Sequence, residues 1–271
     1  MARNRSKITT VKTVVNRRRR RKPGMSRAYV KKIVNQTLSR QVEVKNSPYR
    51  STRSVQDALA TTWEANCIFP LSPVASGGVT IPQGVTQGSR IGNKIRTKSL
   101  IMKLIVYPAP YDSTNNPTPR PLIFKMWIIQ RKQNSTTLPT LANLINFFQF
   151  GASTEPFDGQ LVDLTKPINK DAYILKKVIT FKLGTASYTG GGVQTDWQSF
   201  ANNDFKFSQI RTINLTKLMH KVIKFDDSTA DATTPLLIAV CEVVSANNLN
   251  FSAGSIPATM VYQLDYRYTD E

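Results

Sequence analysis

The stretch Thr259-Met260-Val261-Tyr262-Gln263-Leu264-Asp265-Tyr266-Arg267-Tyr268 decides the class of fold. Met260, Tyr262, Leu264, Tyr266 and Tyr268 take every second position, with Thr259, Val261, Gln263, Asp265 and Arg267 between them. Successive side chains of a strand point to opposite faces, so this period of two makes one mainly apolar face and one mainly polar face. On a helix the same residues would scatter around the axis. The stretch predicts a strand with one side in a core and the other in water.

Working outward, the same texture recurs. Across 173–183, Leu175, Ile179, Phe181 and Leu183 alternate with Lys176, Thr180 and Lys182. Residues 122–131, LIFKMWIIQR, place Leu122, Phe124, Met126 and Ile128 on one face and Ile123, Trp127 and Ile129 on the other, which predicts a strand buried on both sides. Further strands are expected within 55–69 and at 95–107, 205–218, 221–225 and 235–244. The Pro/Gly/Ser-rich run 70–88, the five prolines of 108–121 and the Gly190-Gly191-Gly192 loop separate them. One helix interrupts the pattern at 139–148, with Pro139 in its first turn and Leu141, Leu144, Ile145 and Phe148 on one face, laid over a sheet edge or end. About eight strands with uneven loops predict an all-β body, a single eight-stranded antiparallel jelly roll of two sheets.

The N-terminal part reads differently. Asn16 is followed by Arg17, Arg18, Arg19, Arg20, Arg21 and Lys22, then Pro23-Gly24. Six consecutive cations cannot enter a packed core, because each needs solvent or an anion. Residues 1–53 hold 17 Lys or Arg against the single acid Glu43, whereas 54–271 hold 20 basic and 16 acidic residues. Of a net charge of +20, therefore, +16 belongs to the first 53 residues. Low hydrophobicity with high charge does not repay the entropy of folding, so the arm is expected to be disordered when free. Within it, 26–43 suggests an amphipathic basic helix. Ser26 is its N-cap, Val30, Ile33, Val34, Leu38 and Val42 form its stripe, and Arg27, Lys31, Lys32 and Arg40 supply its charge. The expected division is a basic nucleic-acid-binding arm at 1–53 and a shell domain at 54–271.

This charge asymmetry calls for a polyanionic partner. Nucleic acid, an acidic membrane surface and a heparin-like polymer are the candidates. The adjoining arginine run and the lack of Trp and Phe on the stripe favour nucleic acid over a membrane surface, and no run is long enough to span a bilayer. The two cysteines, Cys67 and Cys241, have neither disulfide-framework nor zinc spacing and read as buried free thiols. An enzyme is not expected. His220 is the single histidine, and no nucleophile-elbow or Walker-type run occurs. Asp226, Asp227 and Asp231 read as a solvated turn rather than a metal site, so no cofactor or metal is expected.

In sequence order, the chain resembles the capsid proteins of small circular single-stranded DNA viruses. The resemblance rests on the basic arm, on Gln87-Gly88-Ser89-Arg90-Ile91-Gly92-Asn93-Lys94-Ile95 leading into a long strand, and on Phe124-Lys125-Met126-Trp127-Ile128-Ile129 followed by a polar loop and short helix. Phe181-Lys182-Leu183-Gly184 and the closing Tyr266-Arg267-Tyr268-Thr269-Asp270 complete it. The chain is also similar to coat proteins of the satellite tobacco necrosis virus type, which enclose RNA. The resemblance implies an icosahedral shell of about sixty copies with the arm turned inward, packaging a single-stranded genome, DNA before RNA. It implies phosphate contacts from Arg3, Arg5, Lys7, Lys12, Arg17, Arg18, Arg19, Arg20, Arg21, Lys22, Arg27, Lys31 and Lys32. Arg17 to Lys22 would also serve as a nuclear localisation signal read by import receptors, with the protein in the virion and, during assembly, in the host nucleus. The competing expectation is a non-capsid single-strand-binding protein or a nuclear shuttle or movement protein. A single-strand-binding module needs cations interleaved with aromatics on the folded body rather than in a tail.

Overall fold

The computed structural model describes residues 26–31, 33–34, 43–132, 138–188, 197–200, 207–226 and 231–271. The chain divides into two units, 1–42 and 43–271. Strand is the main regular structure of the second unit and its sheets are antiparallel, so the all-β expectation holds. In chain order these are β1 Lys45–Val55, β2 Ile68–Pro70, β3 Lys94–Pro108, β4 Leu122–Arg131, β5 Phe148–Phe150, β6 Ser153–Glu155 and β7 Tyr173–Leu183. They continue as β8 Thr185–Tyr188, β9 Trp197–Phe200, β10 Gln209–Asn214, β11 Val222–Lys224, β12 Leu237–Ser245 and β13 Ala258–Asp270. One sheet runs β1-β13-β3-β10, with β11 also paired to β3, and the other runs β2-β12-β4-β7.

The stretch that decided the fold is β13, the centre of the first sheet, in register with β1 on one side and β3 on the other. Met260, Tyr262, Leu264, Tyr266 and Tyr268 are all fully buried, while Arg267 is exposed. The two sheets meet where Phe69 stacks on Tyr262 at 4.4 Å, and their facing side chains form one continuous core. Burial holds the Tyr262 and Tyr268 phenols up at about 12, so both stay protonated. Strand β4 is buried on both faces, as its double apolar pattern predicted. Its inner face joins the core. Its outer face is roofed by the connection 138–172, from which Phe147, Phe148 and Phe157 close on Trp127 at 5.6, 5.8 and 5.7 Å. Cys67 and Cys241 are buried free thiols, as expected, and Cys241 Sγ donates to the Cys67 carbonyl at 3.4 Å.

Several expectations are corrected. The body starts before residue 54, because 45–55 is strand β1 and pairs along its whole length with β13. Its cations masked it. Lys45 is buried against Asp270 at 2.7 Å, and the Arg53 guanidinium lies over Phe69 and Tyr262 and donates to the Ala65 carbonyl at 2.7 Å. These two side chains build the sandwich and do not belong to a solvated tail. The strand expected within 55–69 is instead a short helix, Trp63–Cys67, followed by β2. The helix expected at 139–148 is a 3-10 turn, Leu141–Asn146, that runs into β5, with Leu144 and Phe148 buried and Ile145 exposed. Strands outnumber the expected eight: β11 falls on the strand expected at 221–225, and the unexpected ones are the long β1 and the short β5, β6, β8 and β9. Leu175, expected on the inner face of β7, is 46% exposed, because a bulge at Lys176 shifts the register between Ile128 and Ile129 and turns it outward.

Charged groups also lie under the roof. Glu242 is fully buried opposite Lys125 in the β12–β4 ladder. Its Oε1 accepts the Ala58 N–H at 3.3 Å, and its Oε2 has no hydrogen-bond partner among the described residues. The Lys125 ammonium is held by the Leu164 carbonyl and lies 4.9 Å from the Trp127 ring. Burial, reinforced by the Asp163 charge, pushes the Glu242 carboxyl well above its ordinary 4.5. A carboxyl raised in the fold contributes stability that is complete below its unfolded value and is lost as pH rises through the folded one. Glu242→Gln is therefore expected to leave the thermal midpoint near that of wild type at pH 5 and to raise it at pH 8. Equal midpoint changes at the two pH values, read by circular dichroism, would refute the assignment.

Candidate nucleic-acid interface

The first unit contributes one described feature. Residues 27–31, 33 and 34 are helical. The turn opens at Ser26, whose Oγ accepts the Tyr29 N–H at 3.2 Å and whose carbonyl accepts the Val30 N–H at 3.0 Å. This is an N-cap satisfying a donor the helix itself cannot. Val30, Ile33 and Val34 stand at helical spacing and are 44, 39 and 48% exposed. Arg27 and Lys31 are exposed on the same turn. Of the expected phosphate ligands these two are described. Arg3, Arg5, Lys7, Lys12, Arg17 to Arg21, Lys22 and Lys32 lie outside the described residues, as do Leu38, Arg40 and Val42 and the whole expected nuclear localisation run.

On the body, cations fall into two kinds. The first kind is structural. Arg90, from the Gln87 to Ile95 run, is fully buried. It packs over Phe225 at 4.5 Å and donates to the carbonyls of Gly92 at 2.7 Å and Asp226 at 3.1 Å, so it pins the loop that leads into β3. Lys166 ties the roof together through Asp163 at 2.8 Å and Asp158 at 2.5 Å. Asp163 in turn accepts the N–H groups of Asp158 and Gly159, both at 2.7 Å. Gly159 has φ +70°, and a Cβ there would sit 3.0 Å from Leu59 Cγ, so both the turn and the close approach call for glycine.

The second kind is exposed and gathered at one edge. β10 and β7 are the edge strands of the two sheets on the same side, where the Arg211 guanidinium lies over Phe181 at 5.6 Å. Beside them the 3-10 turn Thr216–Leu218 separates two grooves of about 590 and 400 Å³. Lys98, Lys177 and Lys217 line the first, and Arg96, Lys217 and Lys221 the second. A register shift places Lys98 there: Ser99 pairs with Arg267 and Thr97 with Tyr268, leaving Lys98 outside the ladder. The sequence reading missed this cluster, because its residues come from three segments that are each ordinary by themselves. The one local signal is the alternation Lys94-Ile95-Arg96-Thr97-Lys98.

His220 is half-buried beside the same turn. The Gln130 amide Nε2 lies 3.1 Å from His220 Nε2, and burial, with Lys176 nearby, lowers the pKa of the ring below its ordinary value. Asp231 Oδ1 accepts the Ala75 N–H at 2.8 Å and so anchors a loop. Asp227 lies outside the described residues. Among the described residues no group of three or more His, Cys, Asp or Glu is placed to hold a metal ion. No described helix is long and apolar enough to cross a membrane.

Compared with known proteins, the chain matches no family model and no curated protein.

Proposed function

We propose that this chain is the shell subunit of a small icosahedral capsid, and that its N-terminal arm packages a single-stranded genome by neutralising phosphates without reading their sequence. The observation that carries the reading is the separation of charge from structure. Residues 1–42 hold 14 Lys or Arg and no Asp or Glu, whereas 43–271 hold 23 basic and 17 acidic residues in a sandwich with its own core. A tethered polycation releases condensed counterions from the genome and relieves the repulsion between crowded phosphates. Arginine suits this work because its planar fork grips phosphate bidentately and never deprotonates. With about sixty arms per shell, the positive charge is on the order of a thousand.

The strand order supports a jelly roll. With β11 set aside, the two main sheets take their strands in the interleaved order first-eighth-third-sixth and second-seventh-fourth-fifth, as two nested Greek keys require. Wall-building needs surface to bury on neighbours. Ile145, Phe150 and Val162 on the roof and Leu175 and Val178 on edge strand β7 are large apolar side chains left 40–73% exposed. The arginine run would also direct import into a host nucleus, where a DNA genome is made available for packaging.

Electron microscopy of the purified recombinant protein is expected to show closed particles of about sixty subunits. A monomer or dimer that persists at high concentration rules the capsid out in favour of a single-strand-binding or shuttle protein.

A further inference from the structure

We propose that the folded body carries a second nucleic-acid contact: the paired grooves on either side of Thr216–Leu218, with Lys98, Lys177, Lys217 and Lys221 as phosphate ligands. This deepens the packaging reading and rests on it.

The charge of the site lacks an internal partner. All four lysines are exposed, and none makes an ion pair or side-chain hydrogen bond among the described residues. Among the described residues no Asp or Glu lines either groove. The two acids at the C-terminal end of the neighbouring strand are already engaged, Asp270 by Lys45 and Glu271 by Arg96. Like charges gathered in this way repel at a cost that an anion removes. Lys217 lines both grooves, and cations stand on each side of its ridge. That layout suits a polyanion crossing the ridge better than one small ion. Leu218 in the first groove and Val222 in the second give apolar surface for a sugar or base. Lysine is a point charge without a bidentate fork, which favours phosphate binding over base readout.

The place in the fold argues for genome rather than another polyanion. Thr97, which lines the second groove, is in register with Tyr268, and Tyr268 with Lys45, the first residue of β1. Two strand spacings, roughly 10 Å, thus separate the groove from the start of the body. A nucleic-acid strand gripped by cations preceding residue 43 is tethered at this end of the sandwich, so the grooves meet it at high effective concentration.

The test uses the full-length chain and a labelled oligothymidylate titrated at several salt concentrations. A triple variant, Lys98→Gln with Lys177→Gln and Lys217→Gln, is compared with an arm variant in which Arg17 to Arg21 are changed to Gln. For a single strand, the salt slope falls by about 0.7 for every phosphate the protein ceases to neutralise. The triple variant is expected to reduce the slope by about two, to weaken oligonucleotides of different sequence alike, and to keep the wild-type thermal midpoint, since the three side chains are exposed. If its slope and affinity equal those of wild type while the arm variant loses binding, the groove assignment falls and the packaging reading stands. If wild type does not bind the oligonucleotide at low salt, both fall. A triple variant that loses heparin binding but not oligothymidylate binding also overturns the proposal.

Discussion

Removing residues 1–24 is expected to leave a body that melts at the wild-type temperature and yields particles containing no nucleic acid. The deletion takes away Arg3, Arg5, Lys7, Lys12, Arg17 to Arg21 and Lys22, ten of the fourteen cations that precede residue 43. It removes none of the described strands, the first of which begins at Lys45, paired with Tyr268. Counterion release scales with the number of phosphates neutralised, so losing ten cations per subunit removes most of the sequence-independent affinity. The readout is the 260/280 nm absorbance ratio of purified particles, which should fall to that of protein alone. An unchanged ratio would place the packaging charge elsewhere on the molecule. Loss of the melting transition would show that the arm contributes to the fold.

Trp127→Ala is expected to give the largest loss of stability of any single truncation in the sandwich. Trp127 is 1% exposed in the middle of β4, on the face turned to the roof. Phe147, Phe148 and Phe157 pack on it, Trp63 reaches the same cluster through Phe157 at 5.0 Å, and Lys125 lies over its ring. Truncating a buried aromatic costs about 3–5 kcal/mol, through lost transfer energy and the cavity left behind. Here the cavity opens beside Lys125 and Glu242, whose burial depends on the roof staying closed. Urea denaturation of the variant should show that loss, and its particles, if any form, should be fewer. A loss below about 1 kcal/mol would mean that the roof is held by its Lys166 ion pairs and not by the aromatic cluster.

Much of the sandwich was legible because burial in a two-layer β fold writes itself into neighbouring positions. Strand β13 shows one buried face, β4 shows two, and β7 keeps the bounds that alternation predicted. The failures have particular causes. β1 was hidden because its inward positions include Lys45, Ser47 and Ser51, polar residues whose burial depends on partners far along the chain: Asp270 for Lys45, and the Thr80 carbonyl for Ser47 at 2.9 Å. The turn at Leu141–Asn146 carries apolar residues near helical spacing, but Phe147 and Phe148 are both drawn down onto Trp127, which adjacent positions of a regular helix cannot manage. The bulges at Lys98 and Lys176 left no mark in the alternation that could be read in advance.

From the sequence alone come the β class, the strand that is covered on both sides, and the concentration of positive charge before the body. Each follows from the order of residues over a few neighbouring positions, where charge density and period two are local properties of the chain. The tertiary structure alone decided that β1 belongs to the sandwich, that Glu242 and Lys125 share a buried layer, and that lysines from 98, 177, 217 and 221 meet at one edge. Those outcomes depend on which strands pair and in what register, and pairing is settled by interactions between residues tens to hundreds of positions apart.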